Sequence, residues 1–141
     1  MPKVSGTCLC GAVSLEGDGE AIVSVACHCT HCRKSSGSGH GAYWGFPAQS
    51  VSVDGEVRVF ISLSDRGTSV RRAFCPTCGS PVWSDNDAMP GVLMLRPSIL
   101  DDAAAFQPQF SVFASRAVAW DPVRSGTPVF ERLPPGFEKQ A

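Results

Sequence analysis

No stretch of this 141-residue chain approaches the roughly 18 consecutive apolar residues of a membrane-spanning helix, so no transmembrane helix is expected. The opening "MPKVSGTCLCG" shows no apolar segment behind a basic start. No secretory leader is therefore expected there, and the cytoplasm is the default location. An excess of either charge is also missing: 12 Lys and Arg stand against 13 Asp and Glu, for a net charge of −1. That balance argues against nucleic acid or an anionic lipid surface as partner, since both demand a basic footprint; the pairs in "SVRRAF" and "CRKSSG" are too short to make one. Internal repeats and low-complexity blocks are absent, and helical periodicity is scarce.

What is present is turn chemistry and alternation. Fourteen glycines and eleven prolines break the chain into short pieces, several with the two-residue period of a half-buried strand. "VRVFISLS" sets Val57, Val59, Ile61 and Leu63 on one face, opposite Arg58, Ser62 and Ser64. "AVSLEG", "SVSVDG", "GVLMLRP" and "FSVFAS" read as further strands, with "VDGEV" and "SDRGTS" as hairpin turns. "THCRKSSG" predicts one short helix with Thr30 as its N-cap and Gly37 or Gly39 as its stop. "SILDDAAAF" predicts another short turn, and the tail 131–141, with its paired prolines, an irregular end. The expectation is one domain over 1–141, mainly β, built of short antiparallel strands in a sandwich or barrel-like double sheet.

The seven cysteines are an odd number, and their spacing is not that of a secreted disulfide scaffold. Cys75-Pro76-Thr77-Cys78 is the most specific pattern: a tight turn directs both sulfurs to one side, and Gly79 lets the backbone leave. A redox pair would need a βαβ setting that is missing, so zinc is the favoured reading, and zinc requires two further ligands. Cys8 and Cys10 pair with it most naturally, because Gly11 follows Cys10 as Gly79 follows Cys78. Four cysteines close such a site and brace the fold, with nearby amides or Arg71 and Arg72 tempering its charge.

That leaves Cys27, Cys29 and Cys32 in "ACHCTHCRKSSG" as a second set, with one tetrahedral position to fill. A vacant position is the mark of a catalytic zinc. A histidine from His28, His31 or His40 would instead make the site structural, and spacing alone does not choose. His28, between two ligands on an extended chain, points away; His31, beside Cys32, is the better fourth ligand or supporting donor.

The ordered set "GTCLCGAV", "ACHCTHCRKSSGS", "RRAFCPTCGSPVW" and "LDD", with the late "SVFASRAVAW", resembles the glutathione-dependent formaldehyde-activating enzyme family, also called the GFA or centromere-protein-V domain, from about Gly6 to Asp121. The resemblance implies an Mss4-like β fold with zinc knuckles. It also implies two zinc ions: a structural one on Cys8, Cys10, Cys75 and Cys78, and a catalytic one on Cys27, Cys29 and Cys32. The implied chemistry is carbon–sulfur lyase-like, the addition of glutathione or a related thiol to formaldehyde or another small aldehyde, with the substrate sulfur at the open position. His31 or His28 is then the candidate proton carrier and Arg33, with Lys34, the candidate anchor for a glutathione carboxylate; Tyr43, Trp44 and Phe46 would wall the pocket. "LRPSILDD" and "GHGAYWGFP" depart from the family pattern, where substrate choice would be shaped. The competing class is a zinc-binding module without catalysis, or a carrier of the thiol adduct. A B-type methionine sulfoxide reductase is excluded, since no cysteine follows Cys78.

Overall fold

Alternating strands punctuated by glycine fold here into two sheets, seen in a computed structural model that describes residues 3–135. The strands are β1 (Val4–Thr7), β2 (Ser14–Gly17), β3 (Val23–Cys27), β4 (Gly41–Pro47) and β5 (Val51–Asp54), followed by β6 (Arg58–Leu63), β7 (Ser69–Phe74), β8 (Pro81–Asn86), β9 (Val92–Leu95) and β10 (Phe110–Val112). One helix, α1 (Thr30–Ser36), lies between β3 and β4. The small sheet runs β1-β2-β5 and the large one β10-β3-β4-β9-β8-β7-β6. This is the mainly β, packed-sheet, knuckle-bearing fold expected.

The named strands pair antiparallel except at one edge, where β10 lies parallel to β3 with Phe110 opposite Val25 and Val112 opposite Cys27. A parallel neighbour needs a long crossover. The segment from Arg96 to Gln109 provides it, through 3-10 turns at Pro97–Ile99 and Ala103–Ala105, where "SILDDAAAF" predicted a short turn. The turn "SDRGTS" does close a hairpin, β6 to β7. "VDGEV" does not, because β5 and β6 belong to different sheets. Residues 131–135 form neither helix nor strand, and the rest of the predicted irregular tail lies outside the described residues.

Two apolar cores result. Val13, Leu15, Phe46, Val82, Leu95 and Leu100 pack the first together with Cys8 and Cys75; Val25, Tyr43 and Val112 pack the second with Cys27 and Cys32. Each cysteine cluster therefore grows out of a core. Leu95 is fully buried and lies opposite both Trp44 and Trp83 across the neighbouring strands. Leu95→Ala is expected to cost about 2–5 kcal/mol, read as a shift of the urea midpoint at unchanged slope.

The strand predicted from "VRVFISLS" forms, but its apolar face is not covered. Val57 packs against the first core, while Val59, Phe60, Ile61 and Leu63 are exposed. β6 is the outer strand of the large sheet and these four side chains stay exposed, so alternation here does not report burial within one chain.

Candidate metal centres and the adjoining cleft

The turns between β1 and β2 and between β7 and β8 share one backbone plan. Gly11 N–H donates to Cys8 O at 3.0 Å, and Gly79 N–H to Cys75 O at 2.8 Å. Cys8 N–H donates to Val13 O and Cys75 N–H to Ser80 O, both at 2.9 Å. Gly11 and Gly79 hold φ of 83° and 77°, left-handed values that a side chain strains, which is why each turn carries glycine there. The two turns aim Cys8, Cys10, Cys75 and Cys78 at one point, with all four sulfurs within 4.8 Å of one another. Cys8–Cys10 and Cys10–Cys75 are both 3.7 Å apart. Metal–sulfur bonds of about 2.3 Å in a tetrahedron give sulfur–sulfur edges near 3.8 Å, so the set fits zinc.

Backbone amides temper the thiolate charge, as expected: Val13 N–H reaches Cys8 Sγ at 3.2 Å and Thr77 N–H reaches Cys75 Sγ at 3.4 Å. The Ser80 hydroxyl, 3.2 Å from Cys78 Sγ, is the chief reason the Cys78 thiol is drawn down to about 5. Arg71 and Arg72 take no part. Arg71 is engaged by Asp85 and Asp87, each at 2.6 Å, and Arg72 donates to Ser62 Oγ at 2.9 Å.

Cys27, Cys29 and Cys32 come together differently. Cys27 ends β3, Cys29 is the N-cap of α1, and Cys32 closes the first helical turn. Cys29 Sγ accepts from Cys32 N–H at 3.3 Å, so the cap predicted at Thr30 sits one residue earlier. A sulfur replaces the usual hydroxyl oxygen, and the capping bond pulls two candidate ligands together. Gly37 stops the helix as predicted, its N–H bonded to Arg33 O at 3.1 Å. The three sulfurs lie within 4.8 Å of one another. Hydrogen bonds from Cys27 and Cys32 hold the Cys29 thiol down to about 2, while the same bonds and burial push Cys27 well up. Three thiols so placed cannot ionise together without a cation, and that donor chemistry also suits zinc.

A cleft of about 250 Å³ opens beside this second cluster, and its lining includes none of the first. Val23, Val25, Tyr43 and Met94 line it, with Cys27, Cys29 and Cys32 at one wall together with Thr30 and His31. Ser64, Asp65 and Arg66, from the β6–β7 turn, and Arg132, Leu133 and Pro134, near the end of the described chain, line it as well. Arg72 and Arg116 add two further guanidinium groups; Arg116 is 3.9 Å from Asp65.

Tyr43 links the cleft to a buried cation. Its ring lies 4.6 Å from the Arg96 guanidinium carbon, and Arg96 is only 5% exposed. Its hydroxyl is buried without a hydrogen-bond partner of ordinary geometry and stands close to Cys32. Burial first, and the neighbouring Cys32 charge second, hold the phenol protonated well above its usual range.

The remaining candidates separate cleanly. His31 is exposed on the cleft wall. His28 points away, as its position between two cysteines predicted: it is buried and stacks on His40 with ring centroids 4.9 Å apart. His40 in turn holds Asp121 at 2.6 Å. Arg33 and Lys34 do not line the cleft, because they follow Cys32 on a helix that turns successive side chains by about 100°. Of the three aromatics expected at a pocket wall, Tyr43 alone is there; Phe46 is fully buried in the first core and Trp44 packs against that core. Arg96 and Arg116 belong to no motif that marks them as site residues, and Arg72, expected beside the four-cysteine set, lines the cleft instead.

A β protein with two cysteine clusters able to hold metal ions, one closed and one beside a cleft, is the class that these features define. Residues 3–116 match the family described as glutathione-dependent formaldehyde-activating enzyme, and the chain belongs to that family. The fold is also similar to the crystal structure of a Rhodobacter sphaeroides protein, with a TM-score of 0.56 and 23% identity over 70% of this chain and 88% of that one. No curated protein matches the sequence. Among the described residues, no helix is long and apolar enough to cross a membrane.

Proposed function

We propose that this protein is a zinc-dependent, carbon–sulfur lyase-like enzyme that joins glutathione, or a related thiol, to formaldehyde or another small aldehyde. The observation that carries the reading is the asymmetry of the two clusters. Four sulfurs complete one set outside the cleft's lining; three sulfurs form the other, at the wall of that cleft of about 250 Å³. Cys8, Cys10, Cys75 and Cys78 would hold a structural zinc, and Cys27, Cys29 and Cys32 a catalytic one. Zinc in the second set would supply the charge that keeps a substrate thiol as thiolate at neutral pH.

The chain's own groups do the rest. His31, exposed at the cleft wall, accepts the thiol proton and returns it to the aldehyde oxygen as the sulfur lone pair forms the C–S bond and the C=O pair moves to oxygen. Arg72, Arg116 and Arg132 offer guanidinium groups for glutathione's two carboxylates, a task the sequence placed on Arg33. Val23, Val25, Tyr43 and Met94 line the apolar side of the cleft, where they displace water.

Exchange NMR tests this directly: zinc-loaded protein should speed the interconversion of glutathione, formaldehyde and S-hydroxymethylglutathione above the spontaneous rate. Binding of the adduct without acceleration would make the protein a carrier instead. If glutathione neither binds nor protects Cys27, Cys29 and Cys32 from alkylation, the substrate assignment fails. Arg72→Met should raise the half-saturating glutathione concentration about 10-fold with little change in kcat, the signature of lost ground-state binding.

A further inference from the structure

β6 is the outer strand of the large sheet, and it holds Phe60, Ile61 and Leu63 at 62%, 61% and 62% exposure and Val59 at 38%. Soluble edge strands are normally blunted by lysine, proline or a bulge. β6 carries one charge, Arg58, and pairs with β7 in unbroken register. Its sequence alternates as a strand with a covered face, yet one chain leaves that face bare.

The hydrogen-bond pattern says what fits there. Ser64 N–H bonds to Thr68 O at 2.8 Å where the β6–β7 hairpin begins. In an antiparallel ladder the bonded positions alternate. Residues 64, 62, 60 and 58 therefore bond inward to β7, and the N–H and C=O groups of Val59, Ile61 and Leu63 face outward. We infer that β6 pairs antiparallel with β6 of a second copy of this chain, centred on Ile61, to make a two-fold dimer with one continuous sheet.

That register sets Val59 opposite Leu63 and Ile61 opposite Ile61 of the second copy, so outward-bonding positions meet outward-bonding positions. The same three residues join into one aliphatic face across the seam. On the other face Phe60 stands opposite Ser62, which brings the two Phe60 rings to diagonal positions within aromatic reach. Charges agree at both ends, where Glu56 and Arg58 of one copy reach the Asp65–Arg66 tip of the other. A two-fold axis is satisfied by this one self-complementary patch. Phe60 and Ser62 share a face with Arg72, through the Ser62–Arg72 hydrogen bond, so the second copy's strand would also continue the sheet face that lines the cleft.

Sedimentation equilibrium at micromolar concentration should give twice the chain mass of 14.9 kDa. Ile61→Lys places two ammonium groups across the axis and should raise the dimer dissociation constant at least about 100-fold, with unchanged circular dichroism. Ile61→Pro removes an outward N–H, leaves the β6–β7 ladder complete, and should do the same. Leu9→Lys, at an exposed leucine on the first knuckle, should leave the dimer intact. Hydrogen exchange of the Val59, Ile61 and Leu63 amides should slow as concentration rises. A monomeric wild type, a dimer that survives both Ile61 variants, or a β6 that instead binds lipid vesicles or an unrelated protein would each overturn the inference. None of these readouts depends on the proposed catalytic activity.

Discussion

Cys75→Ser is expected to leave the chain unfolded at room temperature, lacking the sigmoidal urea transition of the wild type. Cys75 is wholly buried in the first core and belongs to the set that ties the β1–β2 turn to the β7–β8 turn, 65 residues apart at Cys10 and Cys75. Apparent binding free energies for structural zinc run to about 10–16 kcal/mol, whereas a domain's whole net stability is about 5–15 kcal/mol. If the four cysteines hold zinc as proposed, losing one ligand forfeits much of the first quantity and so exceeds the second. The substitution also leaves Cys8 and Cys78 without the partner that fixes their geometry. Circular dichroism and zinc content decide the matter: a Cys75→Ser protein that melts cooperatively would show that the core, and not the metal, holds these turns.

Cys29→Ser should have the opposite profile, with the fold intact and the chemistry gone. Cys29 is partly exposed at the cleft, and serine caps a helix at least as well as cysteine, so α1 keeps its first turn. On the proposed function, what is lost is one of three sulfurs and, with it, the zinc they would hold. Zinc content is expected to fall from two per chain to one. Acceleration of the thiol–aldehyde exchange should fall at least about 100-fold, toward the spontaneous rate. A Cys29→Ser protein with full zinc and full activity would remove these three cysteines from the mechanism. A chelator should reproduce the phenotype reversibly, stripping the cleft-side metal before the one enclosed by four sulfurs.

Much of this was legible along the chain because the signals are local. A Cys-x-x-Cys followed by glycine names its own turn, and the matching glycine after Cys10 points to the partner knuckle. The predicted strands formed where alternation was strong. Three features escaped. Cys29 took the cap assigned to Thr30, since sulfur ranks low among capping groups and only the assembled turn shows it accepting a bond. The parallel β10–β3 pair depends on a crossover of more than a dozen residues, for which a strand's own sequence holds no sign. And the arginines of the cleft, Arg72 and Arg116 among them, come from elements far apart in the chain.

The sequence by itself determined the family, the β class and the division of seven cysteines into four and three, because ligand spacing is a property of adjacent residues. Only the tertiary structure decided that the three-cysteine set, and not the four-cysteine set, lines the cleft of about 250 Å³. It also decided that Tyr43 and His31 reach that cleft while Arg33 and Phe46 turn elsewhere, and that the apolar face of β6 is left in water. Each of these depends on which face of a strand or helix packs inward, and that is settled by the whole set of contacts at once.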